Sequence, residues 1–173
     1  MIAGQRKLNM SSVESLRMLV RYKAWADTAL FSALAEVAAE VLVQEQKIVF
    51  GSIIRTLNHV RAMDVVWRSH LEGGAHGFTT RNPADCPQFP ELRAEQTALD
   101  QWFVAYVDVL RCEQLRESIG FSFIGGGDGN MSRAEILMHV VNHTTYHRGH
   151  VAGMLYEANV PPPTTDLPVF LRQ

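Results

Sequence analysis

Cysteine is scarce in this chain. Cys86 and Cys112 are the only two in 173 residues and lie far apart. A disulfide scaffold is therefore excluded, and free thiols in a reducing compartment are expected. No apolar run approaches the roughly 20 residues needed to cross a bilayer. The opening stretch carries Gly4, Gln5, Arg6, Lys7 and Asn9, so the apolar core of a secretory signal is missing. The expected location is the cytoplasm, with no membrane partner. Basic excess is missing too: Lys plus Arg is 16 against 18 for Asp plus Glu, a formal net charge of -2. A nucleic-acid binder shows clustered positive charge, so no nucleic-acid partner is expected.

What is present is an ordinary globular composition, 47% hydrophobic and 20% charged, long enough to bury one core. We read residues 1–173 as one domain, with 1–10 as a flexible tail. Ser11 and Glu14 match a capping box, in which each side chain satisfies a free backbone donor at a helix start. Leu16, Leu19, Val20, Lys23, Ala24, Ala26, Leu30 and Leu34 then follow the spacing of a buried helical stripe. A second helix is expected over 52–71, closed by Gly73 and Gly74.

The breakers between 73 and 90, three glycines and three prolines, predict a long connection. A third helix is expected over 91–117, with Leu92, Leu99, Trp102, Phe103, Tyr106 and Leu110 facing inward. The β-prone run 119–124 and the glycine-rich 125–130 read as a turn with two short extended pieces, short of a sheet. Ser132 and Glu135 form a second capping box and start a fourth helix over 133–158, which Asn159 and the three prolines 161–163 end. Four long amphipathic helices on one chain predict an all-α four-helix bundle.

Six of the seven histidines fall on two of these helices. His139, His143, His147 and His150 occupy a stripe roughly 80° wide on the fourth helix, given about 100° per residue. His59 lies midway along the second. Imidazoles one turn apart can converge on one ion, and a facing helix can add another. Lone histidines on an apolar face are more often packed and hydrogen-bonded than ligating, and His70 and His76 read as surface residues. A stripe of four is harder to bury without partners or a metal. Spacing leaves open whether His139/His143 or His143/His147 bind. It does exclude an HExxH protease, because Thr144, Thr145 and Tyr146 separate the last pair and supply no glutamate base.

Three segments resemble the DinB/YfiT-like (damage-inducible B) family. Tyr22-Lys23-Ala24-Trp25-Ala26-Asp27 is similar to its Y-N-x-W-A-N opening. Phe50-Gly51-Ser52-Ile53, Leu57-Asn58-His59, Asp64 and Trp67-Arg68 resemble its second-helix pattern. Asn142-His143-Thr144-Thr145-Tyr146-His147-Arg148-Gly149 matches its N-H-x-x-x-H-R-G signature. The Gly125–Gly127 stretch and Thr165-Asp166-Leu167-Pro168 are also similar. The resemblance implies a four-helix bundle with a long crossing connection, and a metal triad of His59, His143 and His147 holding one divalent ion, zinc or nickel.

His139 and His150 then become neighbours of the site, and His150 stands where glutamine is usual. The resemblance further implies a homodimer, a small-molecule substrate, and for some relatives chemistry with low-molecular-weight thiols such as bacillithiol, mycothiol or glutathione. Hydrolase or thiol S-transferase activity is the leading expectation. A non-catalytic metal-containing stress-response or binding module is the alternative, and a purely structural bundle the third. Asn58 and Asn142 each precede a proposed ligand and are expected to hydrogen-bond around the site or between helices. Asp64 lies about 140° round the helix from His59 and is expected to pair with a basic or amide group elsewhere. Tyr146 is either a core-packing ring or a hydroxyl placed near the ion. Trp25, Trp67 and Trp102 are read as core or pocket lining.

Overall fold

The computed structural model describes residues 12–173, so the expected tail over 1–10 and the Ser11 half of the first capping box lie outside the described residues. Four long helices build the bundle: α1 (Ser12–Leu34), α3 (Ile53–Glu72), α4 (Phe89–Val109) and α5 (Arg133–Glu157). Short helix α2 (Ala39–Val43) lies in the connection between α1 and α3, and short helix α6 (Leu167–Phe170) follows α5; periodicity was too brief to reveal either. Helix α1 packs on α4 and α5, and α3 packs on the same two, which sets α1 and α3 on opposite corners of a square.

Local chemistry explains most boundaries. The Ser52 hydroxyl accepts from the Arg55 amide to start α3, and Gly73 at φ 72° closes it. Ser132 and Glu135 form the full reciprocal box at the start of α5. Helix α4 ends at Val109, eight residues before the expected 117. Arg17 of α1 donates to the carbonyls of Val107, Asp108 and Leu110, and Leu110 is extended, so the ladder stops there.

The expectation of a turn short of a sheet is corrected. Strands β1 (Ser118–Ser122) and β2 (Asp128–Ser132) form a two-stranded antiparallel ladder in register from Ser118↔Ser132 to Ser122↔Asp128. Gly125, Gly126 and Gly127 all hold φ near +100°, a conformation that side chains resist, and this lets the chain reverse. Opposite Phe121 sits Gly129, where an added Cβ would lie 2.6 Å from the ring. Phe121 is pinned against Trp67 and His70, so it cannot move away freely. Gly129→Ala is expected to lower stability by about 1–3 kcal/mol through overpacking, measurable by urea unfolding; an unchanged midpoint would show that the ring is loose.

The apolar core is split. One cluster gathers Val20, Ala62, Phe103 and Val141; the other gathers Leu30, Leu57, Leu92 and Val151. Along α1, α4 and α5, buried polar residues fall between the two: Lys23 and Asp27, then Gln96 and Asp100, then Thr144, His147 and Arg148. Helix α3 adds Asn58, His59 and Asp64 to the same level. A polar layer thus crosses all four long helices, and the candidate site lies within it.

Candidate metal centre

His59 is oriented before any ion is considered. Its Nδ1 lies 2.7 Å from the Arg81 carbonyl, so Nδ1 carries the proton and Nε2 keeps its lone pair for the site. That carbonyl is held by its own supports. Buried Asn58 donates to the carbonyls of Pro83 (3.3 Å) and Asp85 (3.1 Å), and Arg55 donates to Pro83 (2.7 Å). The residue before His59 therefore clamps the loop that orients His59. Asn142 differs: it is exposed, and its side chain makes no hydrogen bond among the described residues. Its turn of α5 points to solvent, not to another helix.

Helix α5 brings His143 and His147 to the same point. His143 Nε2 stands 3.0 Å from His59 Nε2, and one nitrogen from each of the three rings lies within 4.8 Å of the others. Tetrahedral zinc bound at about 2.0–2.1 Å places its nitrogens roughly 3.3 Å apart, so the donor set fits a divalent ion. Electrostatics agrees. Burial is the main cause that pushes His143 down to about 3 and His147 down to about 4, with neighbouring imidazoles adding to it. Burial also lowers His59, although its bond to Arg81 opposes the shift. Three neutral imidazoles with converging lone pairs repel one another until a cation lies between them.

These depressed values predict an acid sensitivity of the metal-free protein. The unfolded chain takes up histidine protons below about 6.5, whereas the folded chain refuses them. Stability from these groups is therefore complete above 6.5 and is lost as pH falls towards 4 and 3. Asp64 and Asp100, raised by burial, act in the opposite sense but are two groups against five depressed histidines, His59, His70, His139, His143 and His147. Denaturant midpoints of metal-free protein should fall from pH 7 to pH 5; a flat profile would contradict this.

The other expected residues surround a cavity of about 1050 Å3 with the triad on its wall. His139 stacks on His143 at 5.6 Å and meets Trp67 edge-on, while His150 lies 5.2 Å from His147. Tyr146 does not pack in the core. It is 64% exposed, with its ring 5.0 Å from His147 and 4.4 Å from His150. His70 also lines this cavity, against the surface reading, and its ring packs on Trp67 and Phe121. Sequence periodicity missed Phe50, stacked on His59 at 4.1 Å, and the hairpin residues Phe121 and Phe123, which lie on irregular or β segments.

Behind the triad lies an ion cluster. Lys23 Nζ is 2.9 Å from Asp64 and 3.0 Å from Asp27 and also bonds Asp100, with all four side chains buried. Gln96 donates to Asp64 and Asp100. Asp64 thus pairs with an ammonium and an amide on other helices, as expected. Three carboxylates overcome the burial penalty and raise Lys23 well above its usual value, while crowding and burial raise Asp100 to about 7. Arg148 extends the cluster, donating to the Tyr22 hydroxyl at 2.9 Å and lying 3.6 Å from Asp27. Between the cluster and His147 a small cavity of about 10 Å3, room for one water, is lined by Asp27, Gln96, Thr144, His147 and Arg148 among others.

Comparison with known proteins agrees with this fold. A solved structure described as a DinB-like protein from Bacillus cereus ATCC 10987 shares the fold, with a TM-score of 0.65 and 18% identity over 84% of this chain and 94% of that one. Protein DinB of Bacillus subtilis (strain 168) is 28% identical over 159 residues, covering 88% of this chain and 91% of that protein. The model of the DinB family matches residues 9–173, nearly the whole sequence, and the chain therefore belongs to the DinB family.

Proposed function

We propose that this chain is a metal-dependent enzyme that transforms a small molecule at a divalent ion, zinc or nickel, held by His59, His143 and His147. The observation that supports it most is the convergence of three neutral imidazoles on the wall of a cavity large enough for an organic substrate. An ion bound there lowers the pKa of a water or thiol and polarises a carbonyl, which suits a hydrolase or a low-molecular-weight-thiol S-transferase.

The chain's own residues do the rest. Arg81 and Asn58 fix the ring of His59, and Phe50 covers it from one side. His139 and His150 flank the triad as polar wall. Tyr146 stands at the solvent side with its hydroxyl free to donate a proton or a hydrogen bond to a reacting group. Tyr146→Phe is expected to lower kcat by about 100-fold with metal content unchanged; equal kcat would leave the tyrosine as wall only. The family resemblance adds a homodimer to this reading and the sequence composition a cytoplasmic location, and light scattering of the purified protein tests the dimer. No helix among the described residues is long and apolar enough to cross a membrane.

The deciding assay is a panel of metal-loaded protein against bacillithiol, mycothiol and glutathione with an electrophilic acceptor, and against simple esters. Turnover that disappears on chelation supports the proposal. A fully loaded protein inert across the panel would instead favour a metal-containing binding module.

A further inference from the structure

The cavity beside the triad has a composition unlike the rest of the chain. Of the 21 residues that line it, none is Asp or Glu, although the chain carries 18 of them. Its two charged residues are both basic, Lys47 and Arg81. Both are exposed, so they stand on the solvent side of the chamber. Arg81 is tied to the floor as well, because its carbonyl orients His59. The rest of the wall sets six histidines, Ser122 and Tyr146 beside apolar residues, among them the rings of Phe50, Trp67, Phe121 and Phe123.

From this composition we infer that the natural ligand is a small organic anion with a flat, apolar body, such as an aryl carboxylate, bound with its charge towards the histidines and the two cations. This inference deepens the metal-dependent reading and takes from it only the added positive charge of the ion. A chamber with low-dielectric walls and one sign of charge focuses its field on an entering ion, and no carboxylate opposes an anion here. The aromatic walls supply apolar contact and offset stacking for a planar body. An organic cation would face two basic side chains and the metal with no acidic partner. A neutral analogue would keep the apolar contacts alone.

Isothermal titration of the zinc-incubated protein with 2-naphthoate, 2-naphthamide and 2-naphthylmethylammonium tests this, with metal content measured on the same sample. The acid should bind at least tenfold tighter than the amide, the ammonium should bind weakest, and the preference should shrink as salt is raised. Lys47→Gln should weaken the acid severalfold while leaving the amide and the metal content as they were, since Lys47 touches none of the three histidines' supports. Equal affinity for acid and amide, or preference for the ammonium, would overturn the inference. A sample that holds no zinc defeats the metal-centre reading instead. The acid-over-amide comparison on that metal-free protein then still decides the charge preference, which Lys47 and Arg81 should maintain at reduced size.

Discussion

Replacing Lys23 by methionine is expected to destabilise the protein by about 3–5 kcal/mol, the range for breaking a buried ion pair from one side. The side chain is 1% exposed and is the shared partner of Asp27, Asp64 and Asp100. Methionine keeps most of the volume, so the loss is electrostatic: three buried carboxylates would face each other with only Arg148 near one of them. For a chain of this length the thermal midpoint should fall by on the order of 10 °C. The sign of its pH dependence follows from the neighbours. Burial, with the other carboxylates adding to it, raises Asp100 to about 7. Lowering the pH protonates such groups and removes the uncompensated charge, so the gap between variant and wild type should close from pH 8 to pH 5. Lys23→Met with Asp100→Asn should recover part of the loss at pH 8. A variant as stable as the parent at pH 8 would show that the carboxylates already share enough protons without the lysine.

His143→Ala should abolish high-affinity metal binding while leaving the metal-free fold in place. His143 is the central residue of the proposed site, with its Nε2 3.0 Å from that of His59 and its ring 4.5 Å from that of His147. Changes to groups that merely support a ligand cost about 10–100-fold in metal affinity, and removing a ligand outright should cost at least ~100-fold. The metal-free protein loses little, because the His143 Nδ1 is buried without a hydrogen bond and the ring is already kept neutral. Thermal unfolding with and without zinc separates the two effects. An ion that binds the folded state raises the midpoint in proportion to the logarithm of its concentration over Kd. Wild type should gain several degrees in excess zinc and the variant should gain none. An equal gain in both would place the bound ion elsewhere.

Much of the bundle was legible because its signals are local. Ser132 with Glu135, Gly73, and the prolines 161–163 mark ends through backbone hydrogen bonding that a few neighbouring residues decide. The ends that failed depended on distant partners. Helix α4 stops at Val109 because Arg17, some ninety residues earlier, takes its last carbonyls. The hairpin closes because Phe121 can lie over a residue without a side chain, Gly129, which a one-strand reading does not show.

The site divides in the same way. Periodicity put four histidines on one face of α5 and the resemblance selected two of them with His59; the three rings do converge. The ion cluster behind them was hidden. Lys23 sat in the buried stripe of α1 by spacing alone, and Asp64 was assigned a basic or amide partner, but nothing local joined the two. The Tyr22–Asp27 segment that carried part of the resemblance proves to be where that cluster begins.

Metal content of the untagged protein, measured by elemental analysis alongside His147→Ala after incubation in zinc and nickel and removal of free ion, tests the central claim most directly. Close to one divalent ion per wild-type chain is expected, as a three-histidine site with open positions would hold, and almost none in the variant. Wild-type protein that emerges without metal, or a variant that keeps its full complement, would contradict it.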